Sequence, residues 1–149
     1  MKPIVLYSTK SGNTQKVAEI IASELNCEAL KITKNSHCST LNLNDYDLIV
    51  IGTGIRGGNP YAEIVTFLEE MTLKHQKTFA LFITWGGAGM TNQIVMNKIK
   101  EILETKNQLL VKNFYNCYGK WRFLKSGHPT EEELKEARNW IQTIIKTQP

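Results

Sequence analysis

The sequence predicts a doubly wound α/β sandwich of three layers, in which a five-stranded parallel sheet lies between two layers of helices. Short apolar runs alternate along the chain with segments whose apolar residues recur every three or four positions. Most of these runs are unbroken, as in LIVI at 48–51, which is typical of strands buried on both faces of a parallel sheet. Strict alternation of strand and helix favours right-handed crossovers between parallel strands. The 149 residues are expected to form one domain, 1–149.

Each predicted strand and helix is supported by its own sequence pattern. The strands are predicted at residues 3–7, 28–32, 46–51, 78–84 and 108–116. The second of them, EALKI, is short and mixed in polarity, so we expect it at an edge of the sheet.

The four helices place their apolar positions at Val17, Ile21 and Leu25; at Tyr61, Ile64, Leu68 and Met71; at Val95, Ile99 and Ile102; and at Leu134, Ala137, Ile141 and Ile144. Asn13 or Thr14 is expected to cap the first helix, Pro60 to lie in the first turn of the second, and Thr130 with Glu133 to form a capping box.

The strongest functional signal is the polar segment STKSGNT at 8–14, between the first strand and the first helix. A loop in this position directs backbone N–H groups outward at the positive end of the helix dipole, where anions bind. Gly12 allows close approach, and Thr9, Ser11, Asn13 and Thr14 add neutral donors. The segment therefore predicts an anion site, the alternative being a polar turn that only caps the helix.

Residues 9–14, TKSGNT, fit the pattern T-x-[ST]-G-N-T and resemble the phosphate loop of flavodoxins; the short-chain flavodoxin layout covers essentially the whole chain. The resemblance implies a sheet of order 2-1-3-4-5 that holds FMN noncovalently, with the isoalloxazine at the switch point between strands 1 and 3. It also implies electron transfer as the activity. The phosphate-binding residues that it implies are Ser8, Thr9, Lys10, Ser11, Gly12, Asn13 and Thr14.

A second glycine-rich loop, GTGIRGG at 52–58, contains a literal G-x-G-x-x-G motif. It follows the third strand rather than the first, and the acidic residues after it fall on a helix, which disfavours a dinucleotide site. The flavodoxin resemblance instead places this loop against the flavin ring, where glycine at 54, 57 or 58 leaves room for a backbone contact. The residues implied to contact the cofactor are Thr53, Gly54, Ile55, Arg56 and Gly57.

The third loop, WGGAG at 85–89, follows the fourth strand and resembles the W-[SG]-G-A loop in the flavodoxin domain of flavo-diiron proteins. Trp85 is expected to cover the flavin, with packing at the sheet edge as the alternative, and Tyr61 and Trp121 compete for the stacking role. The other cofactor contacts implied for this loop are Gly86, Gly87 and Ala88.

Basic residues gather in the loops at the carboxyl ends of the strands, where no Asp or Glu occurs. The chain carries a net charge of +4. Flavodoxins are usually acidic around FMN, so this basic rim implies redox partner proteins with acidic docking faces. A solvated rim without functional consequence is the alternative. The rim residues are Lys10, Lys34, Arg56, Lys120, Arg122 and Lys125.

Several classes of protein are disfavoured. No apolar run approaches the roughly 20 residues needed to cross a bilayer, and the apolar part of the N-terminus is too short for a secretory signal, so a cytoplasmic protein without membrane insertion is expected. Nucleic-acid binding would need a denser basic cluster with interleaved aromatic residues. The GxxxxGK[ST] and C-x5-R phosphate motifs do not occur.

The sequence therefore favours a non-catalytic electron carrier with FMN as its cofactor and no metal site. The alternative is an enzyme, because IGTGIRGG resembles the IGxxIRxG loop of flavodoxin-like protoporphyrinogen oxidases, which pass electrons to quinone; a quinone reductase belongs to the same alternative. This chain lacks the long insertion of those oxidases. A flavin-free interaction module is a third possibility.

Overall fold

The computed structural model describes residues 1–120 and 126–148 and contains a mainly parallel sheet in those residues. The sheet has the order β2-β1-β3-β5-β6, with β4 antiparallel to β3 and β7 parallel to β5. This confirms the predicted doubly wound sheet of order 2-1-3-4-5, in which β5 is the fourth predicted strand and β6 and β7 share the fifth position. The strands are β1 (Pro3–Tyr7), β2 (Ala29–Lys31), β3 (Leu48–Arg56), β4 (Asn59–Pro60), β5 (Thr78–Trp85), β6 (Leu109–Leu110) and β7 (Tyr115–Tyr118).

The helices cover both faces of the sheet. Two of them, α2 and α3, pack on the face that carries Ile4 and Leu6, while α1 and α4 pack on the opposite face with Val5 and Tyr7. Alternate residues of β1 thus enter opposite halves of the core, as expected of a strand buried on both sides. In the part of the chain described, no helix has both the length and the apolar character needed to cross a membrane. The helices are α1 (Asn13–Leu25), α2 (Ala62–Glu70), α3 (Thr91–Thr105) and α4 (Glu131–Thr147).

Two strand predictions are wrong in extent. The strand predicted at 46–51 continues to Arg56, because Gly52, Thr53 and Gly54 extend its pairing with β5. The strand predicted at 108–116 is divided into β6 and β7. Polar residues interrupt it, and the carbonyl of Asn113 accepts a hydrogen bond from the Trp140 indole (2.8 Å) instead of continuing the ladder.

The predicted helix starts are partly wrong. The residue that caps α1 is Gly12, with no side-chain cap, so neither Asn13 nor Thr14 serves as the cap. Pro60 lies in β4, paired with Ile55, and precedes the first turn of α2. The capping box of α4 is confirmed: the Glu133 amide donates to the hydroxyl of Thr130, and the Thr130 amide donates to the Glu133 carboxylate, both at 3.1 Å.

Candidate functional site

The switch point of the sheet lies between the carboxyl ends of β1 and β3. The chain leaves β1 toward α1 on one face and leaves β3 toward α2 on the other, so the two connections diverge. In open α/β sheets this divergence forms the crevice in which ligands bind. The three segments identified in the sequence, at 8–14, 52–58 and 85–89, all lie at this edge of the sheet, although residues 52–56 and Trp85 still belong to β3 and β5.

Segment 8–14, called the phosphate loop here after its expected role, contains a left-handed glycine directly before α1. Gly12 has a φ of 89°, which favours glycine, and its amide donates to the Thr9 hydroxyl at 3.0 Å. No side chain caps α1, and a Cβ added at Gly12 would meet no atom within 4 Å. The first-turn N–H groups of α1 are therefore open to an anion in front of the loop.

Two residues of this loop, Ser8 and Thr14, are buried. Thr14 connects the loop to β5. It is 1% exposed, and its hydroxyl lies 2.8 Å from the hydroxyl of Thr84 at the end of β5. The pair ties the start of α1 to the central strand, so this hydroxyl is engaged within the protein rather than open to the crevice. Ser11, by contrast, is exposed, and its hydroxyl accepts a hydrogen bond from the Asn13 amide (3.0 Å).

We expect Thr14→Val to destabilise the flavin-free protein by about 1–3 kcal/mol, because it leaves the buried Thr84 hydroxyl without a partner. Urea unfolding followed by circular dichroism measures the change. Ser11→Ala is the matched control and should stay within about 0.5 kcal/mol of the parent, since its hydroxyl is exposed. The double variant Thr14→Val/Thr84→Val should recover most of the loss; a double variant as unstable as Thr14→Val alone would mean that the hydroxyl pair is not the cause.

Asn13 joins the phosphate loop to the segment that follows β7. Its side-chain amide donates to the carbonyl of Lys120 at 2.9 Å, and a Cβ added at the buried Gly119 would lie 2.7 Å from the same nitrogen. The Lys120 amide donates in turn to the carbonyl of His128 (3.2 Å). The phosphate loop and the segment leading into α4 are thus held together by consecutive hydrogen bonds.

Lys10 connects the other side of the phosphate loop to α2. Its amine forms an ion pair with Glu63 and lies 5.4 Å from the centroid of the Tyr61 ring. The hydrogen bond from Lys10 holds the pKa of Glu63 below its ordinary value, against the effect of burial. Tyr61 and the Lys10–Glu63 pair therefore connect segment 8–14 to the start of α2.

The GTGIRGG segment is a β-hairpin rather than an open loop. Gly57 and Gly58, with φ of 57° and 74°, form the two-residue turn between β3 and β4, in which Arg56 pairs with Asn59. Positive φ at both central residues is the type I′ geometry that matches the twist of paired strands. The exposed Arg56 and Gly57 are at the tip of this hairpin.

The other two glycines of the segment make room for aromatic rings. A Cβ added at Gly52 would lie 2.0 Å from the Phe82 ring, and one at Gly54 would lie 2.2 Å from the Tyr61 hydroxyl. Thr53 is fully buried, and its hydroxyl accepts a hydrogen bond from the backbone amide of Tyr61 at 3.0 Å. These positions shape the floor of the crevice and fix the entry into α2, while Ile55 is partly buried in the core on the α2 side.

The loop after β5 is anchored at Trp85 and exposed beyond it. Trp85 is partly buried and stacks on Tyr118, with ring centroids 6.3 Å apart and an interplanar angle of 18°. The Gly119 amide donates to the Trp85 carbonyl (3.0 Å). Gly86, Gly87 and Ala88 are exposed at the crevice edge. Trp121, named as a competitor for stacking, lies outside the described residues, as do Arg122 and Lys125.

Sequence reasoning missed a cluster that supports Trp85. Tyr118 packs edge-on against His128, with 5.5 Å between ring centroids. The Glu133 carboxylate accepts a hydrogen bond from the backbone amide of Tyr118 at 2.8 Å and forms a second one with Nδ1 of His128. Burial would raise the pKa of Glu133, but the Thr130 and Tyr118 amides and His128 outweigh it, so the pKa is lowered. The capping-box spacing identified Glu133; its further contacts depend on the fold.

The prediction of a rim without acidic groups needs correction. Helices that follow parallel strands begin at the carboxyl edge of the sheet, so acidic residues in their first turns return to that edge. Glu63 pairs there with Lys10, and Glu133 pairs with His128. Within residues 1–120 and 126–148, the rim cations Lys34, Arg56 and Lys120 form no ion pair with a carboxylate.

Fold and site together define a doubly wound α/β protein with a polar strand-to-helix loop, residues 8–14, at the switch point of its sheet. A family model for the flavodoxin domain matches residues 4–124, and the chain belongs to the flavodoxin family.

Proteins of similar length match this chain over most of its residues. The uncharacterized protein MJ0298 of Methanocaldococcus jannaschii is 30% identical over 98% of this chain and 99% of its own length. Oxidised Flavodoxin 1 from Bacillus cereus is 19% identical and superposes over 100% of both chains with a TM-score of 0.78. A flavoprotein from Lactobacillus acidophilus NCFM, solved in complex with FMN, is 22% identical and superposes over 78% of this chain and 92% of its own with a TM-score of 0.60.

Proposed function

We propose that this chain binds FMN noncovalently and shuttles single electrons between redox proteins in the cytoplasm. The observation that carries the proposal is the uncapped N-terminus of α1, which begins at the left-handed Gly12 beside the switch point of the sheet. Membership of the flavodoxin family supports it, as does the FMN bound by a flavoprotein of similar fold.

The residues present at the loop fit the phosphate of FMN. The first-turn amides of α1 supply N–H donors, and the open space at Gly12 allows an anion to approach the backbone. The hydroxyls of Thr9 and Ser11 would add donors, while segment 8–14 contains no carboxylate that would repel the phosphate. Thr14 would act indirectly, by fixing the loop on β5.

Two loops would frame the flavin ring. The exposed turn at Gly57 and Gly58 would face one edge of the ring, and Gly86–Ala88 would face another. Trp85 stacks on Tyr118, and Tyr61 packs closely against Gly54. Each of these two aromatic rings is therefore fixed before the cofactor enters. When bound, FMN accepts and releases electrons; the side chains of the site bind it, orient it and shield it from water.

The exposed cations at this edge favour partners with acidic docking faces. Lys34, Arg56 and Lys120 lie at the ends of different strands and remain unpaired within the described residues. Their field would attract an acidic redox protein and would be screened over about 8 Å at physiological salt. Association should therefore slow as salt concentration rises.

The test begins with the cofactor that co-purifies with the protein. We expect a flavin absorption spectrum, FMN by mass spectrometry after acid release, and two separate one-electron steps during stepwise anaerobic reduction. A colourless protein that takes up no added flavin would contradict the proposal. A single two-electron step with rapid turnover of a quinone or a porphyrinogen would instead support the oxidoreductase suggested by the IGTGIRGG loop.

A further inference from the structure

A cavity of about 710 Å³ lies beside the phosphate loop, between α1 and the segment that leads into α4. Two loop residues, Ser11 and Asn13, belong to its wall, so anything bound in the cavity would be next to an anion on the loop. Neither Lys10 nor Glu63 is among the described residues that line it. Its other polar lining residues are Lys16, Lys120, Ser126 and His128.

The charge of this lining is positive and not compensated locally. Lys10 is neutralised by Glu63, but in the described part of the chain neither Lys16 nor Lys120 lies within ion-pair distance of a carboxylate. Because Glu133 engages Nδ1 of His128, Nε2 is the ring nitrogen left for a ligand. Among the described residues that line the cavity there is no Asp or Glu. Two ammonium groups and several neutral donors suit a phosphate group.

The two walls are fixed relative to each other. The Asn13 amide donates to the Lys120 carbonyl at 2.9 Å, and the Lys120 amide donates to the His128 carbonyl at 3.2 Å. Gly119 is pressed against Asn13 so closely that a Cβ would collide. Part of the ordering that anion binding requires is thus present in advance, which reduces the entropic cost of binding.

We propose that this cavity binds a second phosphate group, additional to the phosphate on the loop; the inference rests on the proposed FMN site. Two phosphates side by side repel each other, and Lys16 and Lys120 provide the positive charge that offsets this repulsion. The second phosphate comes either from the pyrophosphate of a dinucleotide flavin such as FAD or from a separate phosphate-bearing molecule that binds beside FMN.

The experiment measures FMN and FAD binding to the flavin-free protein, and then inorganic phosphate and pyrophosphate binding to the FMN-loaded protein, by isothermal titration calorimetry. The variant is Lys16→Gln/Lys120→Gln. Lys100→Gln, which removes a lysine paired with Glu104 on α3, is the matched control. Loss of both ammonium groups should weaken the second phosphate about tenfold or more and FMN by less than about threefold, while the control changes neither.

The flavin titrations and the anion titrations distinguish the two possible sources of the second phosphate. If the phosphate belongs to a dinucleotide flavin, FAD binds at least as tightly as FMN and the double variant weakens FAD selectively. If it belongs to a separate molecule, FMN binds more tightly than FAD, and the FMN-loaded protein binds phosphate or pyrophosphate in a manner that the double variant weakens. If FMN binds but the FMN-loaded protein takes up neither phosphate nor pyrophosphate, and the double variant does not weaken FAD selectively, the second phosphate site is wrong while the proposed FMN function stands. Failure of FMN to bind the parent protein would overturn the proposed function, and this inference with it.

Discussion

Gly52→Ala should be the most destabilising small substitution at the site, with an expected loss of several kcal/mol in the free energy of unfolding. The added Cβ would lie 2.0 Å from the ring of Phe82, which is 0% exposed and cannot move into solvent. Forcing an extra methyl group into a closely packed core displaces side chains and backbone, at a typical cost of about 1–3 kcal/mol and more where the neighbour is rigid. Denaturant unfolding of the flavin-free protein measures the loss.

Two further variants separate packing from a general effect of replacing glycine. Gly86→Ala is the matched control, because its Cβ would meet nothing within 4 Å and its φ is not in the left-handed region, so we expect a change below about 0.5 kcal/mol. Gly52→Ala/Phe82→Leu removes the ring that causes the clash and should recover part of the stability. If Phe82→Leu gives no recovery in the Gly52→Ala background, the clash is not the cause.

Glu133→Gln should cost about 1–3 kcal/mol at neutral pH, because the carboxylate accepts the Thr130 and Tyr118 amides and binds His128. The pKa of Glu133 in the folded protein lies below the ordinary carboxyl value of 4.5. The stabilisation from the carboxylate is therefore fully present above that ordinary value and is lost as pH falls through the folded-state pKa. The stability difference between parent and variant should shrink on acidification.

Unfolding curves for both proteins over a pH series from neutrality to well below the carboxyl range test this dependence. Glu132→Gln is the matched control, since Glu132 is the exposed neighbour in the same helical turn, and we expect a small effect from it. A Glu133→Gln loss that is constant across the series would show that the carboxylate charge does not stabilise this corner of the protein.

The parts of the fold that could be predicted from sequence are those in which local pattern and tertiary packing agree. Unbroken apolar runs such as 48–51 can be buried only in a sheet covered on both faces, and the Thr130 and Glu133 spacing forms the same two hydrogen bonds wherever a helix begins. The placement of segment 8–14 belongs to this class, because it depends only on one continuous connection from β1 to α1.

The remainder depends on residues distant in sequence. Nothing local distinguishes Gly52, which accommodates Phe82, from Gly57, which turns a hairpin. Pro60 suggested a helix start because proline is tolerated there, but pairing with Ile55 placed it in a strand. The acidic groups of the rim depend on the fold in a similar way: Glu63 lies in the first turn of α2, and only the end of the sheet at which that helix begins places it beside Lys10.

The division of the last sheet position into two short strands has a consequence for aggregation. At one edge, β6 and β7 contain two and four residues and are separated by the four residues 111–114, which include Lys112 and Asn113; at the other edge, β2 contains three residues and ends at Lys31. A long, flat strand edge is a template for pairing with a second chain, whereas short, interrupted, lysine-bearing edges offer few consecutive unpaired backbone groups. The interruption that makes the fifth strand hard to predict therefore also protects the sheet against edge-to-edge association.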